Sequence, residues 1–316
     1  TLQMVDETLL KPQVLIMAPT RELAKQINTV LNNLSDYMKI KSVLCIGGEK
    51  LVDNISELEK GCHYVVGTPG RIFDLLKRYI LNSENLTTMV LDEADEMLSS
   101  GFKEQMYDIF QFLPHNCQVC LFSATIPNDV LELSEKFMRN PLRLLVKSNE
   151  LTLDGIKQFY IAIERDIWKL NTLCDIYSQL TINQAIIYCN TRKKAEWLCS
   201  KLLEKQFTVN CIHGDMTQAD RNRMMMEFRE GSCRVLIATD IISRGIDIQQ
   251  VSVVINYDIP KIKETYIHRI GRSGRFGRKG LAINFATNLD IGLIQELCSF
   301  YETQIEEMPC DLSQFV

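Results

Sequence analysis

The sequence predicts an α/β protein of two domains, each a mainly parallel sheet flanked by helices and joined to the other by a short linker. Three observations predict this fold. The chain has 316 residues, of which 46% are hydrophobic and 24% charged; this is globular composition, but more chain than one compact core usually takes. Short apolar runs rich in β-branched residues alternate with amphipathic stretches of helical period. Such alternation is typical of parallel sheets joined by helical crossovers.

Five predicted strands lie in the first half of the chain, with helical stretches between them. The helical period is clearest in "RELAKQINTVLNNLSDYM" (21–38). Polar or glycine-bearing residues follow most of the strands at once, which places a functional edge at the carboxyl ends of the sheet. The five predicted strands are "QVLIMA" (13–18), "SVLCIG" (42–47), "HYVVGT" (63–68), "TMVLDE" (88–93) and "VCLFSA" (119–124).

The second half repeats this organisation after a pause. The stretch "LVKSNELTLDGIKQ" (145–158) is polar and lacks a helical pattern, so we predict domains at 1–147 and 157–316 joined by a linker at 148–156. A helical stretch, "KKAEWLCSKLLEKQ", covers 193–206. The predicted strands are "AIIYCN" (185–190), "TVNCIH" (208–213), "RVLIAT" (234–239), "SVVINY" (252–257) and "AINFAT" (282–287).

Composition excludes several classes of protein. No apolar run approaches the roughly 20 residues of a membrane span, and the opening "TLQMVDETLL" has neither the basic start nor the apolar core of a signal peptide. Among eleven cysteines only Cys117 and Cys120 are close together, without a second pair or histidines at zinc-ligand spacing. We therefore expect reduced thiols and a cytoplasmic or nuclear protein without membrane contact.

The charge distribution predicts a local anion site rather than a generally basic surface. The formal net charge is -5, which argues against a protein that coats nucleic acid through overall positive charge. Between Lys261 and Lys279 the chain nevertheless carries seven basic residues and one acid. A solvated face is the simplest alternative. Arginines at every third position with glycines between them favour an anion-binding role.

The stretch "MVLDEADEML" (89–98) runs from an apolar strand directly into a cluster of carboxylates. Asp92 and Glu93 at a strand end suit Mg²⁺ and the orientation of an attacking water, because hard oxygen ligands match a hard cation. The alternative is the capped start of a helix. Ser123 and Thr125 in "SAT" also follow a strand, and their hydroxyls are placed to bond the carboxylates or a nucleotide-bound water.

Cationic groups come from the second half. "HRIGRSGR" (268–275) places Arg269, Arg272 and Arg275 three residues apart, and the planar guanidinium neutralises charge that develops on a transferring phosphoryl group. Asp247 in "SRGID" is suited to accept a hydrogen bond from a ribose hydroxyl. The simplest joint interpretation is a phosphoryl-transfer site with acids and magnesium on one domain and arginines on the other.

Ten ordered motifs resemble those of the DEAD-box RNA helicases of superfamily 2, over almost the whole chain. The linker and the end "FYETQIEEMP" look closest to the initiation factor 4A group, which includes the exon-junction-complex helicase and ribosome-biogenesis members. The motifs are "APTRELA" (18–24), "GG" (47–48), "TPGR" (68–71), "DEAD" (92–95), "SAT" (123–125), "IIYCNT" (186–191), "HGD" (213–215), "QADR" (218–221), "ATDIISRGID" (238–247) and "HRIGRSGR" (268–275).

This resemblance implies two RecA-like domains that close on ATP, Mg²⁺ and single-stranded RNA. Asp92 and Glu93 would handle magnesium and water, and Ser123 and Thr125 would couple the domains. The other implied catalytic residues are His268, Arg272 and Arg275, and the implied nucleotide contacts are Asp95, Gly245, Asp247, Arg272 and Arg275. The implied contacts to RNA phosphates are Pro19, Arg21, Gly48, Thr68, Gly70 and Arg71, then Asn190, Gly214, Arg221, Thr239 and Arg244.

One expected element is missing from the sequence. The phosphate loop G-x-x-x-x-G-K-[ST] occurs nowhere in the 316 residues, so we expect that it lies upstream of Thr1, with the adenine pocket, and that this chain alone is inactive. Two functions stay open. The first is an ATP-dependent RNA helicase that unwinds short duplexes or clamps RNA in translation initiation or a related step. The second is a non-catalytic RNA- or scaffold-binding module.

The expected partners also follow from the resemblance. We expect a monomer that joins larger RNA–protein complexes and binds a scaffold of helical repeats. A dinucleotide-binding oxidoreductase is discarded, because no G-x-G-x-x-G follows a predicted strand and opens a helix. RNA binding without base recognition is expected, since amides at glycine-rich turns and arginines contact phosphates.

Overall fold

The computed structural model describes residues 1–99, 101–145, 155–180, 182–240, 251–273 and 280–309. The chain divides into two compact units, unit 1 (Thr1–Leu144) and unit 2 (Leu145–Val316). Each unit holds one parallel sheet with apolar clusters on both faces. The predicted α/β fold is therefore confirmed. The predicted linker lies outside the described residues except for its last two positions, and its bounds stay a prediction.

Unit 1 contains a five-stranded sheet in which every neighbouring pair is parallel. The spatial order is β2-β3-β1-β4-β5, so the first strand lies at the centre. All five strands coincide with the apolar runs of the sequence. They are β1 (Val14–Met17), β2 (Ser42–Cys45), β3 (Tyr64–Gly67), β4 (Thr88–Asp92) and β5 (Gln118–Phe122).

Helices cover both faces of this sheet because successive side chains of its central strand point to opposite sides. Leu15 and Met17 belong to one buried cluster, whereas Val14 and Ile16 belong to a second cluster on the other face. The first cluster includes Ile72 of α3, and the second is closed by α1. The helices are α1 (Arg21–Leu34), α2 (Leu51–Glu59), α3 (Pro69–Lys77), α4 (Ala94–Met97), α5 (Lys103–Gln111) and α6 (Asn128–Phe137).

Unit 2 contains a seven-stranded sheet, also parallel throughout, in the order β12-β6-β11-β10-β7-β9-β8. Five strands match predicted runs, and two were missed. The first missed strand has two consecutive polar residues, Lys157 and Gln158, near its start and overlaps the predicted connection; the second has two residues. The strands are β6 (Ile156–Ala162), β7 (Ala185–Tyr188), β8 (Val209–Ile212), β9 (Val235–Ala238), β10 (Val253–Asn256), β11 (Gly280–Ala286) and β12 (Glu306–Glu307).

Helices again separate the strands of unit 2. Short 3₁₀ helices occupy Leu2–Met4 in unit 1 and Asp166–Trp168 in unit 2. Across the ranges that the structure describes, no helix combines the length and the apolar character that crossing a membrane requires. The α-helices of unit 2 are α7 (Lys169–Gln179), α8 (Arg192–Glu204), α9 (Gln218–Arg229), α10 (Lys263–Ile270) and α11 (Ile291–Tyr301).

The parallel arrangement places the sequence motifs at one edge of each sheet. All strands of a parallel sheet end on the same side, so residues that follow different strands become neighbours although they are distant in sequence. In unit 1 this edge carries the segments after β1, β2, β3, β4 and β5; in unit 2 it carries those after β7, β8 and β9. Every described motif segment that directly follows a strand therefore lies on a carboxyl edge.

Candidate functional site

A groove of about 510 Å³ lies on unit 1 and brings together three of the predicted RNA-binding motifs. Pro19 and Arg21 follow β1, and Thr68, Gly70 and Arg71 follow β3. Five of the six RNA contacts predicted for the first domain therefore line a single groove. The sixth predicted contact, Gly48, is not part of the lining, but the preceding residue, Gly47, is. The complete lining is Pro19, Arg21, Gly47, Thr68, Pro69, Gly70, Arg71, Asp74, Phe102 and Gln105.

Arg21 packs directly against the glycine pair. It is the first residue of α1, whose N-cap Thr20 accepts a hydrogen bond on Oγ1 from the Leu23 N–H at 3.2 Å. A Cβ atom added to Gly48 would lie 2.5 Å from Arg21 Nη1, and Gly48 has a φ of +82° that favours glycine. Both glycines are therefore required for the guanidinium to lie where it does, beside the groove.

The amino-terminal end of α3 forms another wall of the groove. Thr68 is its N-cap residue but makes no side-chain capping bond, and Pro69 is the first helical residue. The backbone N–H groups of Gly70 and Arg71 belong to the first turn, where an α-helix leaves its donors without intrahelical partners. These donors and the positive end of the helix dipole favour an anion such as a phosphate at this wall.

The guanidinium of Arg71 is held by two neutral acceptors. Its Nη1 donates to Asn54 Oδ1 of α2, and its Nη2 donates to the carbonyl oxygen of Glu49 at 2.6 Å. Glu49 directly follows the glycine pair and forms an ion pair with Lys25 of α1 at 3.4 Å. Arg71 thus connects the "TPGR" helix to the "GG" turn, while it also lines the groove.

The DEAD motif begins on the last residue of β4 and continues into α4. Asp92 is half-buried, and its Oδ1 accepts a hydrogen bond from the Glu93 N–H at 3.0 Å. Glu93 is the N-cap of α4, with a left-handed backbone at φ 52° and ψ 53°. A non-glycine residue in this conformation costs on the order of 1–3 kcal/mol and typically marks a functional site. The alternative of an ordinary side-chain cap does not hold for Glu93, which makes no capping bond.

Asp95 and the "SAT" hydroxyls form one hydrogen-bonded cluster. Ser123 Oγ donates to Asp95 Oδ1 at 2.8 Å, and Thr125 Oγ1 donates to Asp95 Oδ2 at 2.7 Å. The carboxylate is 4% exposed, so these bonds compensate the loss of hydration. The carboxylate that the hydroxyls bond is therefore Asp95 rather than Asp92 or Glu93. Both oxygens of Asp95 have protein partners, although the sequence assigned this residue to the nucleotide.

The donor set of the DEAD motif fits Mg²⁺. Asp92 presents a carboxylate at the strand end, and burial raises its pKa above the ordinary value, an effect that the hydrogen bond from Glu93 N–H partly offsets. A raised pKa shows that the protein disfavours the ionised form, and a nearby cation reverses that preference. Asp92 is the residue that would hold magnesium, with Glu93 beside it.

Replacing Asp92 by asparagine should make the magnesium-free protein more stable. The folded-state pKa of Asp92 is raised, so its ionised form reduces stability at every pH above the unfolded-state pKa. Asparagine keeps an acceptor for the Glu93 N–H and carries no charge. We expect a higher midpoint of thermal unfolding at pH 7 in magnesium-free buffer, and a difference that shrinks as the pH falls toward 4. A lower midpoint at pH 7 would contradict the burial argument.

The carboxyl edge of unit 2 is organised by one buried arginine. Arg269 is 0% exposed, and its Nε donates to Asp240 Oδ1 at 2.6 Å. Its Nη2 donates to Asn190 Oδ1 at 2.8 Å and to Asp240 Oδ2 at 3.0 Å. Its Nη1 donates to Asn256 Oδ1 at 3.2 Å and to the Asp258 carbonyl at 2.7 Å. The sequence grouped this arginine with Arg272 as a phosphoryl-neutralising cation, but its guanidinium is committed to structural partners.

Asn190, a predicted RNA contact, is fixed by several of these partners. Its backbone N–H donates to Asp258 Oδ2 at 3.1 Å, and its Nδ2 donates to the Ile259 carbonyl at 2.9 Å. The next residue, Thr191, caps α8 by accepting a hydrogen bond from the Lys194 N–H. Both polar atoms of the Asn190 side chain are bonded, because Nδ2 donates to the Ile259 carbonyl and Oδ1 accepts from Arg269 Nη2. The side chain is therefore held at the end of β7.

The other described RNA candidates of unit 2 lie near neighbouring strand ends. Thr239 follows β9, and its N–H donates to the Ile212 carbonyl at 3.2 Å. Gly214 follows His213, whose Nε2 lies 3.1 Å from a carboxylate oxygen of Glu196. Arg221 lies on α9, is 7% exposed, and donates through Nη2 to Gln218 Oε1 at 2.8 Å.

The arginine motif lies on and directly after α10. His268 is buried on that helix, and Arg272 is 6% exposed with its Nε donating to the His268 carbonyl at 3.1 Å. This bond fixes the base of the Arg272 guanidinium against the end of the helix. Four predicted site residues lie outside the described residues: Arg244, Gly245, Asp247 and Arg275.

Five residues that line the groove of unit 1 were not among the predicted RNA contacts. Gly47 and Pro69 lie inside recognised motifs, and Asp74 lies four residues after Gly70, on the same face of α3. Phe102 and Gln105 come from the segment that leads into α5 and from its first turn. Helical spacing was sufficient to find Asp74. No local pattern marked Phe102 or Gln105, because their place depends on the packing of α5 beside α3.

Comparisons with known proteins agree with this arrangement. Residues 1–133 match the DEAD/DEAH box helicase family, and residues 168–277 match the helicase conserved C-terminal domain. The chain is 56% identical over 315 residues to the ATP-dependent RNA helicase eIF4A of Schizosaccharomyces pombe, covering 100% of this chain and 80% of that protein. It is 57% identical over 316 residues to the eIF4A of Phaeosphaeria nodorum, again covering 80% of the relative.

A similar solved structure is that of S. cerevisiae Dbp5 bound to RNA and ADP BeF3. The TM-score is 0.91 at 36% sequence identity, and the match covers 98% of this chain and 81% of Dbp5. The family matches span both units, and the identity to eIF4A extends over the whole chain. With its motifs at the carboxyl edges of two parallel sheets, this chain belongs to the DEAD/DEAH box helicase family.

Proposed function

We propose that this protein is an ATP-dependent RNA helicase of the eIF4A kind, which binds single-stranded RNA through its phosphates. One observation carries the proposal: the groove of unit 1 gathers Pro19, Arg21, Thr68, Gly70 and Arg71 from two separate motifs, and Gly47 from a third. Its walls offer guanidinium groups and helix-terminal N–H donors. These groups bind phosphates without reading bases.

The nucleotide chemistry is assigned to residues of both units. Asp92 and Glu93 of unit 1 catalyse ATP hydrolysis: Asp92 would hold magnesium, and Glu93 orients the attacking water. When bound, Mg²⁺ supplies charge neutralisation on the phosphate oxygens. Arg272 and Arg275 of unit 2 stabilise the negative charge of the transition state. Ser123 and Thr125, whose hydroxyls both donate to Asp95, couple the two domains in this proposal.

We propose the biological process from the names of the relatives. The eIF4A proteins of Schizosaccharomyces pombe and Phaeosphaeria nodorum carry the name of an initiation factor, and on that ground we propose translation initiation in the cytoplasm. ATP-dependent clamping of RNA and local unwinding are two outputs of one binding cycle in this proposal. A helical-repeat scaffold is the proposed protein partner.

RNA-stimulated ATP hydrolysis is the experiment that tests this function, measured on the 316-residue chain and on the same chain joined to a segment that carries the G-x-x-x-x-G-K-[ST] loop. We expect RNA to stimulate hydrolysis in the protein that carries the loop. Because the chain lacks the G-x-x-x-x-G-K-[ST] loop, a second function competes: an RNA- or scaffold-binding module without catalysis. Binding of RNA that is indifferent to ATP and magnesium, with no hydrolysis, would favour that module. Hydrolysis without any effect of RNA would contradict the RNA assignment.

Replacing Arg71 by alanine should weaken RNA binding. The change removes one guanidinium from the groove, and a lost charge-assisted contact to a phosphate costs about tenfold in affinity, roughly 1.4 kcal/mol. The slope of log K against log salt should fall by about 0.7, the value for one phosphate contact on a single strand. Fluorescence anisotropy with a labelled oligouridine at several salt concentrations measures both quantities.

The matched control is Arg143→Ala. Arg143 follows α6, is exposed, and forms a surface ion pair with Glu135 at 2.6 Å; neither residue lines the groove. It carries the same charge, so a general effect of net charge would appear in both variants. If Arg71→Ala keeps the affinity and the salt slope of the parent protein, the proposed RNA path over unit 1 is wrong.

A further inference from the structure

Asn54 is a buried polar residue that none of the recognised motifs contains. It lies on α2, where it is 2% exposed, while its neighbours Asp53 and Ser56 face solvent. An amide buried without hydrogen-bond partners costs free energy, so a helix normally places an apolar residue at such a position. The position therefore requires an explanation in terms of what the amide binds.

The two partners of Asn54 determine the orientation of its amide. Its Nδ2 donates to the Leu44 carbonyl on β2 at 3.0 Å, and its Oδ1 accepts from Arg71 Nη1. A carbonyl only accepts and a guanidinium only donates, so the opposite amide orientation would lose both bonds. Asn54 thereby anchors the Arg71 guanidinium to a strand of the central sheet.

The second anchor of Arg71 is the Glu49 carbonyl, 2.6 Å from Nη2. With both terminal nitrogens held, the plane of the guanidinium is fixed before any ligand arrives. A free arginine side chain carries about 2 kcal/mol of rotamer entropy, which binding must overcome. Preorganisation of this kind raises affinity without adding a contact.

We propose that Asn54 is a positioning residue for RNA binding: it holds Arg71 toward the groove and, being neutral, leaves the arginine charge available to a phosphate. This inference rests on the proposed function. A carboxylate at the same place would also accept from Arg71 but would pair with its charge. An apolar residue would leave the charge intact and release the guanidinium.

The test is a double-mutant cycle between Asn54→Leu and Arg71→Ala. Alone, Asn54→Leu should raise the Kd for a labelled oligouridine about fivefold, which is about 1 kcal/mol, measured with ATP and magnesium present. The apparent KM for RNA in the hydrolysis assay should rise by the same factor, while kcat at saturating RNA stays unchanged. In the Arg71→Ala background, the same substitution should have no further effect, because the group that it positions is gone.

A second variant, Asn54→Asp, tests the charge argument and does not depend on the leucine variant folding. It keeps an acceptor toward Arg71 and adds a negative charge beside it, and it also loses the donor to the Leu44 carbonyl. We expect weaker RNA binding with a salt slope lowered by about 0.7, since one cation no longer releases a counterion. Ser56→Ala on the same helix is the matched control and should bind RNA like the parent protein.

The outcomes separate the inference from the proposed function. If Arg71→Ala weakens RNA binding but neither Asn54 variant does, the positioning role is overturned and the proposed function stands. If Asn54→Leu weakens binding equally with and without Arg71, its effect is on general stability and the inference is wrong. If Arg71→Ala itself has no effect, both the RNA path over unit 1 and the inference fall.

Discussion

In a protein that also carries the phosphate loop, replacing Glu93 by glutamine should abolish ATP turnover while RNA binding in the presence of ATP persists. Glutamine keeps the shape and the hydrogen-bonding reach of the side chain but cannot accept a proton from water. Loss of a positioned general base typically costs about 10² to 10⁴ in rate. Single-turnover hydrolysis with saturating RNA, together with anisotropy of a labelled RNA, measures the two effects separately.

The backbone of Glu93 is the reason to expect so large an effect. Its φ of 52° and ψ of 53° lie in the left-handed region of backbone conformations, which glycine or asparagine occupies more often than glutamate. The fold maintains this conformation between β4 and α4, although a glycine at that position would relieve it. The strain is understandable if the direction of the side chain matters more than local stability.

Glu104→Gln is the control for this variant. Glu104 lies in the first turn of α5, is exposed, and loses the same charge with the same change of shape. It should hydrolyse ATP at the parent rate. If Glu93→Gln also keeps the parent rate, Glu93 does not orient the water, and the strained backbone needs another explanation.

Replacing Arg272 by alanine should slow hydrolysis by about 10³, as the loss of an arginine finger does in other phosphoryl-transfer enzymes. In the transition state the charge of the transferring phosphoryl group is spread over its three equatorial oxygens, with the attacking and leaving oxygens roughly in line, so a guanidinium fixed to match this arrangement stabilises it preferentially. The affinity for RNA should change little. Rates at saturating ATP and RNA separate this effect on kcat from effects on binding.

Arg272→Lys makes the geometric argument testable. Lysine keeps the charge but not the planar fork. Arg272 bonds the His268 carbonyl through Nε and keeps its two terminal nitrogens for other partners, whereas lysine has a single nitrogen for both tasks. We expect lysine to restore only a small part of the rate. The exposed Arg229 at the end of α9 supplies a control, Arg229→Ala. Loss of RNA affinity with normal hydrolysis at saturating RNA would instead make Arg272 a phosphate-binding residue.

Much of the fold was readable from sequence because parallel sheets leave a simple signature. Ten apolar runs became ten strands, since a strand covered on both faces must be apolar throughout. The strand β6 escaped because Lys157 and Gln158 interrupt its apolar character. Its existence depends on pairing with β11, more than a hundred residues away, along its whole length. No local window of sequence contains that information.

The candidate site was predictable to a different degree. Residues after strand ends were found because the ordered motifs identify them and because all strands of a parallel sheet end at the same edge. The roles of Arg269 and Arg272 were not separable by spacing, since identical residues three apart in one motif differ only in what surrounds them. Their hydrogen-bond partners separate them: the guanidinium of Arg269 is bonded to Asp240 and Asn190. Asn54 was invisible because one asparagine on an amphipathic helix is unremarkable.

The enclosure of Arg269 has a consequence for how unit 2 opens. Its guanidinium ties together the segments that follow β7, β9 and β10, through Asn190, Asp240 and Asp258. If one segment detaches, a charge that water cannot reach loses a partner, and the remaining bonds no longer compensate its burial. We therefore expect the three segments to unfold locally as one cooperative group. Their backbone amides should then share a common opening free energy and exchange hydrogen with solvent together, although they are far apart in sequence.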